Sequence, residues 1–98
     1  MLTLHKLQLT GPSGSVRITA TEATLLQAFA QATDSRLNFQ QIADCCGLSD
    51  ADAVKASAQV RMVRLRKKLH EAGADGAVIE AIRNVGYQLF EPIQVVKT

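Results

Sequence analysis

The sequence predicts an α+β domain in which short strands come first, three helices follow and a β-hairpin comes last. Leucines alternate with polar residues over residues 2–9, apolar residues recur at helical spacing between about 22 and 71, and a second alternating stretch covers 78–90. A chain of 98 residues is long enough for one hydrophobic core. We therefore expect one domain over residues 1–91 and a flexible tail over 92–98.

The first alternating stretch predicts two or three strands that pair as a short antiparallel sheet. Its leucines precede Gly11–Gly14, and Val16 and Ile18 follow. No Gly-Lys-Ser/Thr motif comes after the glycines, so we interpret this segment as a hairpin turn and not as a phosphate loop.

Capping residues delimit the first two helices. We expect the first helix to begin at Thr21 and to end near Thr33. Asn38 and Gln41 have the spacing of a capping box, which predicts the start of a short second helix. Gly47 is the residue expected to end it.

A longer third helix and a hairpin complete the prediction. Residues 49–52 are polar and predict a loop, after which apolar periodicity predicts a helix over about 53–71. Residues 78–82 and 87–90 are the two expected strands of the hairpin. Arg83–Gly86 form the turn, where Asn and Gly tolerate positive φ.

The positive charge is concentrated in the second half of the chain. The formal net charge is +2, but residues 1–54 carry −2 and residues 55–98 carry +4. Five of the basic residues fall between Arg61 and Lys68. Such a cluster is typical of nucleic-acid binding, although an ordinary solvated helix face has the same composition.

At 100° per residue, residues 57–69 separate into an apolar stripe and a basic stripe. The apolar stripe, expected to pack on the first two helices, contains Ala58, Met62, Leu65 and Leu69. The basic stripe contains Ser57, Arg61, Arg64 and Lys68. It is about 16 Å long, a length that fits the major groove of DNA, and Arg64 near its middle is the candidate for paired bonds to guanine.

Other residues of the third helix are candidates for secondary contacts. Lys67 lies off the basic stripe and is expected to contact a phosphate, whereas Arg66 contacts a phosphate or has a structural role. Val60 and Val63 lie beside the stripe and either touch thymine methyl groups or have no polar role.

The hairpin turn adds Arg83, with Asn84 beside it, to the candidate DNA-binding residues. An isolated arginine in a turn is commonly just solvated. Next to a recognition helix, however, it can enter the minor groove, where the negative potential is strongest.

These segments resemble the OmpR/PhoB-type effector domain of two-component response regulators. The segment V60-R-M-V-R-L-R-K-K-L69 is similar to the end of that family's recognition helix, and I82-R-N-V-G-Y-Q-L89 is similar to its wing. Residues 18–26 are similar to the start of its first helix. The match is collinear over about residues 2–90.

The resemblance implies a winged helix-turn-helix that binds direct-repeat DNA half-sites as a tandem dimer. It places Arg64 and Arg66 on DNA-contacting helix positions and Arg83 on the wing arginine. It also implies a phosphoacceptor receiver domain upstream, a histidine kinase that phosphorylates it, and a loop at about 48–52 that in some members contacts RNA polymerase. No cofactor, metal or membrane contact is implied, and we expect a cytoplasmic transcription regulator.

Several positions depart from the family's usual residues. Gln59 and Val63 replace an acidic and a polar residue in the helix. Arginines common at two further positions are replaced by Phe39 and Ala56, and Ala81 and Asn84 replace a threonine and a glycine of the wing. The DNA sequence recognised is therefore expected to differ from those of well-known members.

Two other function classes remain open from sequence. The first is a protein-interaction module whose basic helix binds an acidic partner. Loss of the family's phosphate contacts, such as the threonine replaced by Ala81, slightly favours this alternative, whereas the basic stripe disfavours it. The second is an enzyme that uses Cys45 or Cys46 with His5 or His70, but no base or oxyanion motif accompanies them. We interpret the adjacent cysteines as reduced thiols, at least one in the core, because neighbouring cysteines rarely form a disulfide.

Overall fold

The computed structural model describes residues 2–47 and 51–96, with side chains in the second range from Val54 onward. The chain opens with three strands, β1 (Leu2–His5), β2 (Gln8–Gly11) and β3 (Gly14–Arg17). They pair antiparallel through two tight turns, as predicted. Residues opposite each other across the strands point to the same face, so Leu4, Leu9 and Val16 form one row on the inner face of the sheet.

The expectation of a flexible tail is wrong for residues 93–96. Ile93–Val96 form a further strand, β7, which pairs parallel with β1 and makes a sheet of order β3-β2-β1-β7. Ile93 and Val95 are half-buried against the core, whereas Gln94 and Val96 are exposed. This alternation is that of a half-buried strand, and its apolar residues offset the entropy cost of ordering the segment.

Helix α1 (Ala20–Gln31) has its N-cap two residues before the expected one. Thr19, not Thr21, is the N-cap: its Oγ1 accepts a bond from the Glu22 amide at 3.2 Å, and Glu22 Oε1 accepts one from the Thr19 amide at 2.8 Å. Thr-x-x-Glu is the reciprocal capping box, and Thr19 is the residue three positions before the glutamate.

The short helix α2 (Phe39–Cys46) has the predicted boundaries. Asn38 and Gln41 form the reciprocal capping box, and Gly47 ends the helix in the left-handed conformation at φ 69°. The strand β4 (Arg36–Asn38) leads into α2 and pairs with the C-terminal hairpin. Strand and cap together fix where α2 begins.

Helix α3 (Ala51–Ala72) is the longest element and begins slightly earlier than predicted. Part of the expected loop over 49–52 is therefore helical, and residues 48–50 lie outside the described residues. Helices α2 and α3 pack on each other and form the helix-turn-helix pair. Helix α1 packs on α2 from the other side.

The C-terminal hairpin contains β5 (Ile79–Ile82) and β6 (Gly86–Leu89), which pair antiparallel. Strand β6 also pairs with β4, so the hairpin is part of a sheet of order β4-β6-β5. A Cβ on Gly86 would lie 2.0 Å from the carbonyl oxygen of Leu37. Only glycine allows the two backbones to approach this closely.

One core joins both sheets and all three helices. Its fully buried side chains come from the N-terminal strands, α1, β4, α2, α3 and β5, and the largest are Phe29, Leu2, Leu4, Leu9, Leu25, Leu26, Leu37, Ile42, Met62, Leu65, Leu69 and Ile79. The element order of the hairpin and helices is the predicted one, with β4 and β7 added.

Candidate nucleic-acid interface

The apolar stripe of α3 packs into the core as predicted. Ala58, Met62, Leu65 and Leu69 are completely buried. Because these four side chains fix the rotation of α3 about its axis, they also determine which of its other residues reach solvent.

The basic stripe does not form the most exposed face of α3. Arg64 is exposed, but Ser57, Arg61 and Lys68 are half-buried. The stripe lies about 100° from the buried stripe, on the flank of the helix. Arg61 Nε donates to Ser57 Oγ at 3.2 Å, so these two side chains also bind each other along that flank.

Lys68 is bound to the first helix. Its Nζ lies 2.6 Å from Oε1 of Glu22, whose side chain is only 7 % exposed. The same oxygen accepts the amide of Thr19. One carboxylate therefore caps α1 and holds α3 against it.

The environment of Glu22 keeps it ionised. Burial alone would raise the pKa of this carboxyl, but the hydrogen bonds from Lys68 and Thr19 and the charge of Lys68 outweigh burial. The pKa of Glu22 is consequently lowered from 4.5. The ion pair is thus present at neutral pH.

Arg66 links α3 to the hairpin. Its Nε donates to the carbonyl oxygen of Ile79 at 2.9 Å, and its side chain is half-buried. This bond fits the structural role that the sequence left open for Arg66. It fixes the start of β5 relative to the helix.

The face of α3 opposite the core includes four exposed side chains between positions 60 and 67, which we call the outer face: Val60, Val63, Arg64 and Lys67. Val60 lies about 160° around the helix from Met62, and the other three lie within about 60° of Val60. In the described part of the chain, neither Arg64 nor Lys67 has a hydrogen-bond or ion-pair partner. Both cations are therefore available to a ligand.

The hairpin tip presents a further exposed cation, Arg83. Arg83, Asn84 and Val85 are all exposed. Asn84 has φ 62°, a left-handed conformation that asparagine tolerates better than most residues. The sequence-based expectation of positive φ at this position is confirmed.

Two contacts connect the hairpin to the start of α2, and a third connects the start of α2 to α3. The Phe39 amide donates to the carbonyl oxygen of Val85 at 3.1 Å, and the Phe39 ring packs edge-on against Tyr87 with centroids 6.4 Å apart. Lys55 Nζ, in the first part of α3, lies 5.7 Å from the centre of the Phe39 ring. The hairpin tip, the start of α2 and the start of α3 are thus neighbours.

Sequence reasoning missed Glu22 and Lys55 as residues that matter at this surface. The Thr19-x-x-Glu22 spacing was a sufficient signal for the capping role of Glu22. Its pairing with Lys68, 46 positions away, has no local signal. The same holds for Lys55 over Phe39, since that contact depends on how α2 and α3 cross.

The thiols of Cys45 and Cys46 are free, and both side chains are half-buried against the core. The expectation that at least one of them lies in the core is therefore wrong, since neither is fully buried. Burial raises the pKa of both thiols above 9.0, and at Cys46 the positive charge of Arg61 offsets part of this increase. The protonated thiol is the less nucleophilic form.

His70 uses Nδ1 in a 2.8 Å contact with the carbonyl oxygen of Ala74.

The described residues contain no group of three or more His, Cys, Asp or Glu side chains that could hold a metal ion. None of the helices there is long and apolar enough to cross a membrane.

Comparison with known proteins identifies a family and a similar solved structure. Residues 13–89 match the family model described as "Transcriptional regulatory protein, C terminal". Among solved structures, the chain is similar to the C-terminal domain of the nisin resistance regulator NsrR, a lantibiotic response regulator, at 25 % identity, with a TM-score of 0.67 and 93 % of each chain covered. No curated protein matches the chain. The winged-helix effector fold that the sequence predicted is confirmed.

Proposed function

The chain belongs to the family of C-terminal domains of transcriptional regulatory proteins, and on that basis we propose that it binds double-stranded DNA sequence-specifically. In this proposal α3 lies in the major groove and the hairpin over 82–88 lies at the adjacent minor groove. The observation that carries it is the outer face of α3, where Arg64 and Lys67 are exposed while Arg61, Arg66 and Lys68 have intramolecular partners.

Arg64 is the proposed base-reading residue. A guanidinium can donate two parallel bonds to O6 and N7 of guanine, and the side chain of Arg64 is exposed near the middle of the helix. Lys67, one turn further along, is assigned to a phosphate, because an ammonium is a compact charge without a planar fork.

The other basic residues of α3 are assigned roles that position the helix. Ser57 and Arg61 lie on the flank and can reach the sugar-phosphate backbone only at the edge of the groove. Arg66 and Lys68 hold α3 against the hairpin and against α1. We propose that Arg66 and Lys68 stabilise the position of α3 in the domain and contribute less to DNA affinity than Lys67.

The hairpin tip is proposed to place Arg83 in the minor groove, with Asn84 giving the turn its conformation. Contacts of the tip with the start of α2, and of α2 with α3, support this placement. They hold the hairpin and α3 in a fixed relative orientation, so both can contact the same DNA site. A narrow A·T-rich groove attracts arginine most strongly.

We extend the proposal to the assembly on the basis of the resemblance to response-regulator effector domains. We propose that two copies bind direct-repeat half-sites as a dimer on DNA. An upstream receiver domain, phosphorylated by a cognate histidine kinase, would control this step in the full regulator. We also propose RNA polymerase as a partner of the segment before α3, where residues 48–50 lie outside the described part of the chain.

Binding to random duplex DNA at increasing salt tests the proposal. Release of counterions from phosphates makes log K fall linearly with log salt, with a slope of about −0.9 per phosphate contacted. We expect a slope steeper than about −2, and a shallower slope for Lys67→Met. A flat salt dependence, or no binding, would favour the protein-interaction alternative instead.

A further inference from the structure

Two of the four residues of the outer face of α3 are valines. Val60 is 51 % exposed and Val63 is 56 % exposed, on a helix whose buried face is complete without them. Exposed apolar side chains are ordinary when they are scattered. These two are three positions apart and are therefore neighbours on the helix surface.

The valines have basic neighbours along the helix. Arg64 is four positions after Val60, and Lys67 is four positions after Val63, so each cation is adjacent to one valine. Both cations are exposed and lack a partner in the described part of the chain. A ligand that fits this surface needs small apolar groups close to negative charge. The floor of the DNA major groove has this combination wherever thymine methyl groups lie between the phosphate backbones.

We propose that Val60 and Val63 recognise the 5-methyl groups of thymines next to the guanine bound by Arg64. The inference rests on the proposed DNA binding and specifies what α3 recognises. Cytosine lacks the methyl group, and its exocyclic amine is a donor that valine cannot satisfy. The two valines therefore favour T·A over C·G at their positions.

Helix geometry sets the spacing of the recognised bases. Residues three apart rise by about 4.5 Å along the helix, and base pairs are stacked about 3.4 Å apart. The two valines consequently reach base pairs one or two steps from each other. The half-site is expected to contain two thymines within two steps, beside a guanine.

The first experiment replaces thymidine by deoxyuridine, one position at a time, in the duplex that this domain selects from a random pool. Deoxyuridine pairs like thymidine but lacks only the methyl group. Removing a recognised methyl should weaken binding about fourfold, the equivalent of leaving one CH₂-sized group unburied at ~0.8 kcal/mol. Restoring the methyl with a 5-methylcytosine·guanine pair should bind more tightly than cytosine·guanine at the same position.

Variants then connect each methyl to its valine. Val60→Ala should abolish the effect of deoxyuridine at one position, and Val63→Ala at the other. Alanine has a higher helix propensity than valine, so both variants should fold. Val96→Ala, at an exposed valine on β7, is the matched control and should keep both effects.

The outcomes separate the two proposals. Specific binding that is indifferent to every thymine methyl, or methyl effects unchanged in both valine variants, would overturn this inference alone. Failure to select any sequence would overturn sequence-specific binding and this inference together.

Discussion

Lys67 and Lys68 are consecutive in sequence, but their surroundings give them different roles. Lys68 pairs with the buried carboxylate of Glu22, whereas Lys67 is exposed on the outer face. Lys68→Met should lower the free energy of unfolding by about 1–3 kcal/mol, because it leaves Glu22 buried without its cation. Lys67→Met should change stability by less than about 0.5 kcal/mol.

Urea denaturation and DNA titration of both variants measure this contrast. Lys67→Met should lose DNA affinity with little change in stability, and Lys68→Met should show the reverse. If Lys68→Met proved as stable as the unchanged protein and lost more DNA affinity than Lys67→Met, the assignment of these two side chains would be wrong.

The Glu22–Lys68 pair also predicts a pH dependence of stability. Since the pKa of Glu22 is lowered in the folded state, its contribution is present above the ordinary carboxyl value of 4.5 and is lost as pH falls through the lower folded value. Glu22→Gln can retain the cap to Thr19 but not the ion pair. Its deficit in unfolding free energy should be largest near neutral pH and should shrink in acid.

Denaturant titrations at several pH values test this point. Lys68→Met is the partner control: in that background Glu22→Gln should cost much less at neutral pH. A deficit for Glu22→Gln that is constant between neutral and acidic pH would contradict the account.

At the scale of elements, we expect the conformation of the hairpin tip to determine whether Arg83 can reach the minor groove. Asn84→Val should weaken DNA binding because a β-branched residue resists the positive φ observed there. Asn84→Gly should bind as well as the original or slightly better. Arg83→Ala should reduce the salt slope by about one and lose most affinity on sites with A·T-rich flanks.

Binding isotherms on matched sites with A·T-rich and G·C-rich flanks decide whether Arg83 acts in the minor groove. Equal losses on both would argue against insertion into the groove. If Arg83→Ala lost no affinity on either, the hairpin would not be part of the DNA interface.

Local patterns predicted most elements because their determinants are close in sequence. The capping box of Asn38 with Gln41 and the left-handed Gly47 fixed α2 to the residue. The periodicity of α3 identified its buried stripe. The start of the first helix is predicted two residues too late if Thr21 is taken as its cap, because the Thr19-x-x-Glu22 capping box is the actual start signal.

The accessible part of the basic stripe could not be predicted in the same way. A helical projection gives the angle between side chains but not the position of neighbouring elements. Arg66 and Lys68 are occupied because Ile79 and Glu22, far away in sequence, lie within hydrogen-bond distance. Tertiary packing therefore decides which of several adjacent cations remains free.

At the scale of the molecule, the C-terminal strand completes the N-terminal sheet. Its Ile93 and Val95 alternate like any half-buried strand, but the segment is short and follows a proline. It is stabilised by parallel pairing with β1, at the other end of the chain. Such a pairing leaves no signal in the local sequence.

Truncation after Glu91 tests the contribution of this strand. Removal of two half-buried aliphatic side chains should lower the free energy of unfolding by about 2 kcal/mol, and the loss of strand pairing adds to this. The double variant Gln94→Ala/Val96→Ala, which changes only exposed residues of β7, is the control and should have a much smaller effect. If the truncated protein were as stable as the full chain, residues 92–98 would have to be interpreted as a flexible tail.

Family and fold together make the chain a DNA-binding domain of a transcription regulator, as the sequence predicted. We further propose that the outer face of α3, with Arg64 on it, determines which DNA sequence the domain binds. Selection of bound duplexes from one random pool, run in parallel with the unchanged protein and with Arg64→Ala, measures this directly. We expect the unchanged protein to select a single motif that contains a guanine. Arg64→Ala should lose or relax the preference for that guanine and should bind the original site with ~1–3 kcal/mol lower affinity. Recovery of the same motif by both proteins, or equal losses on specific and random DNA, would contradict it.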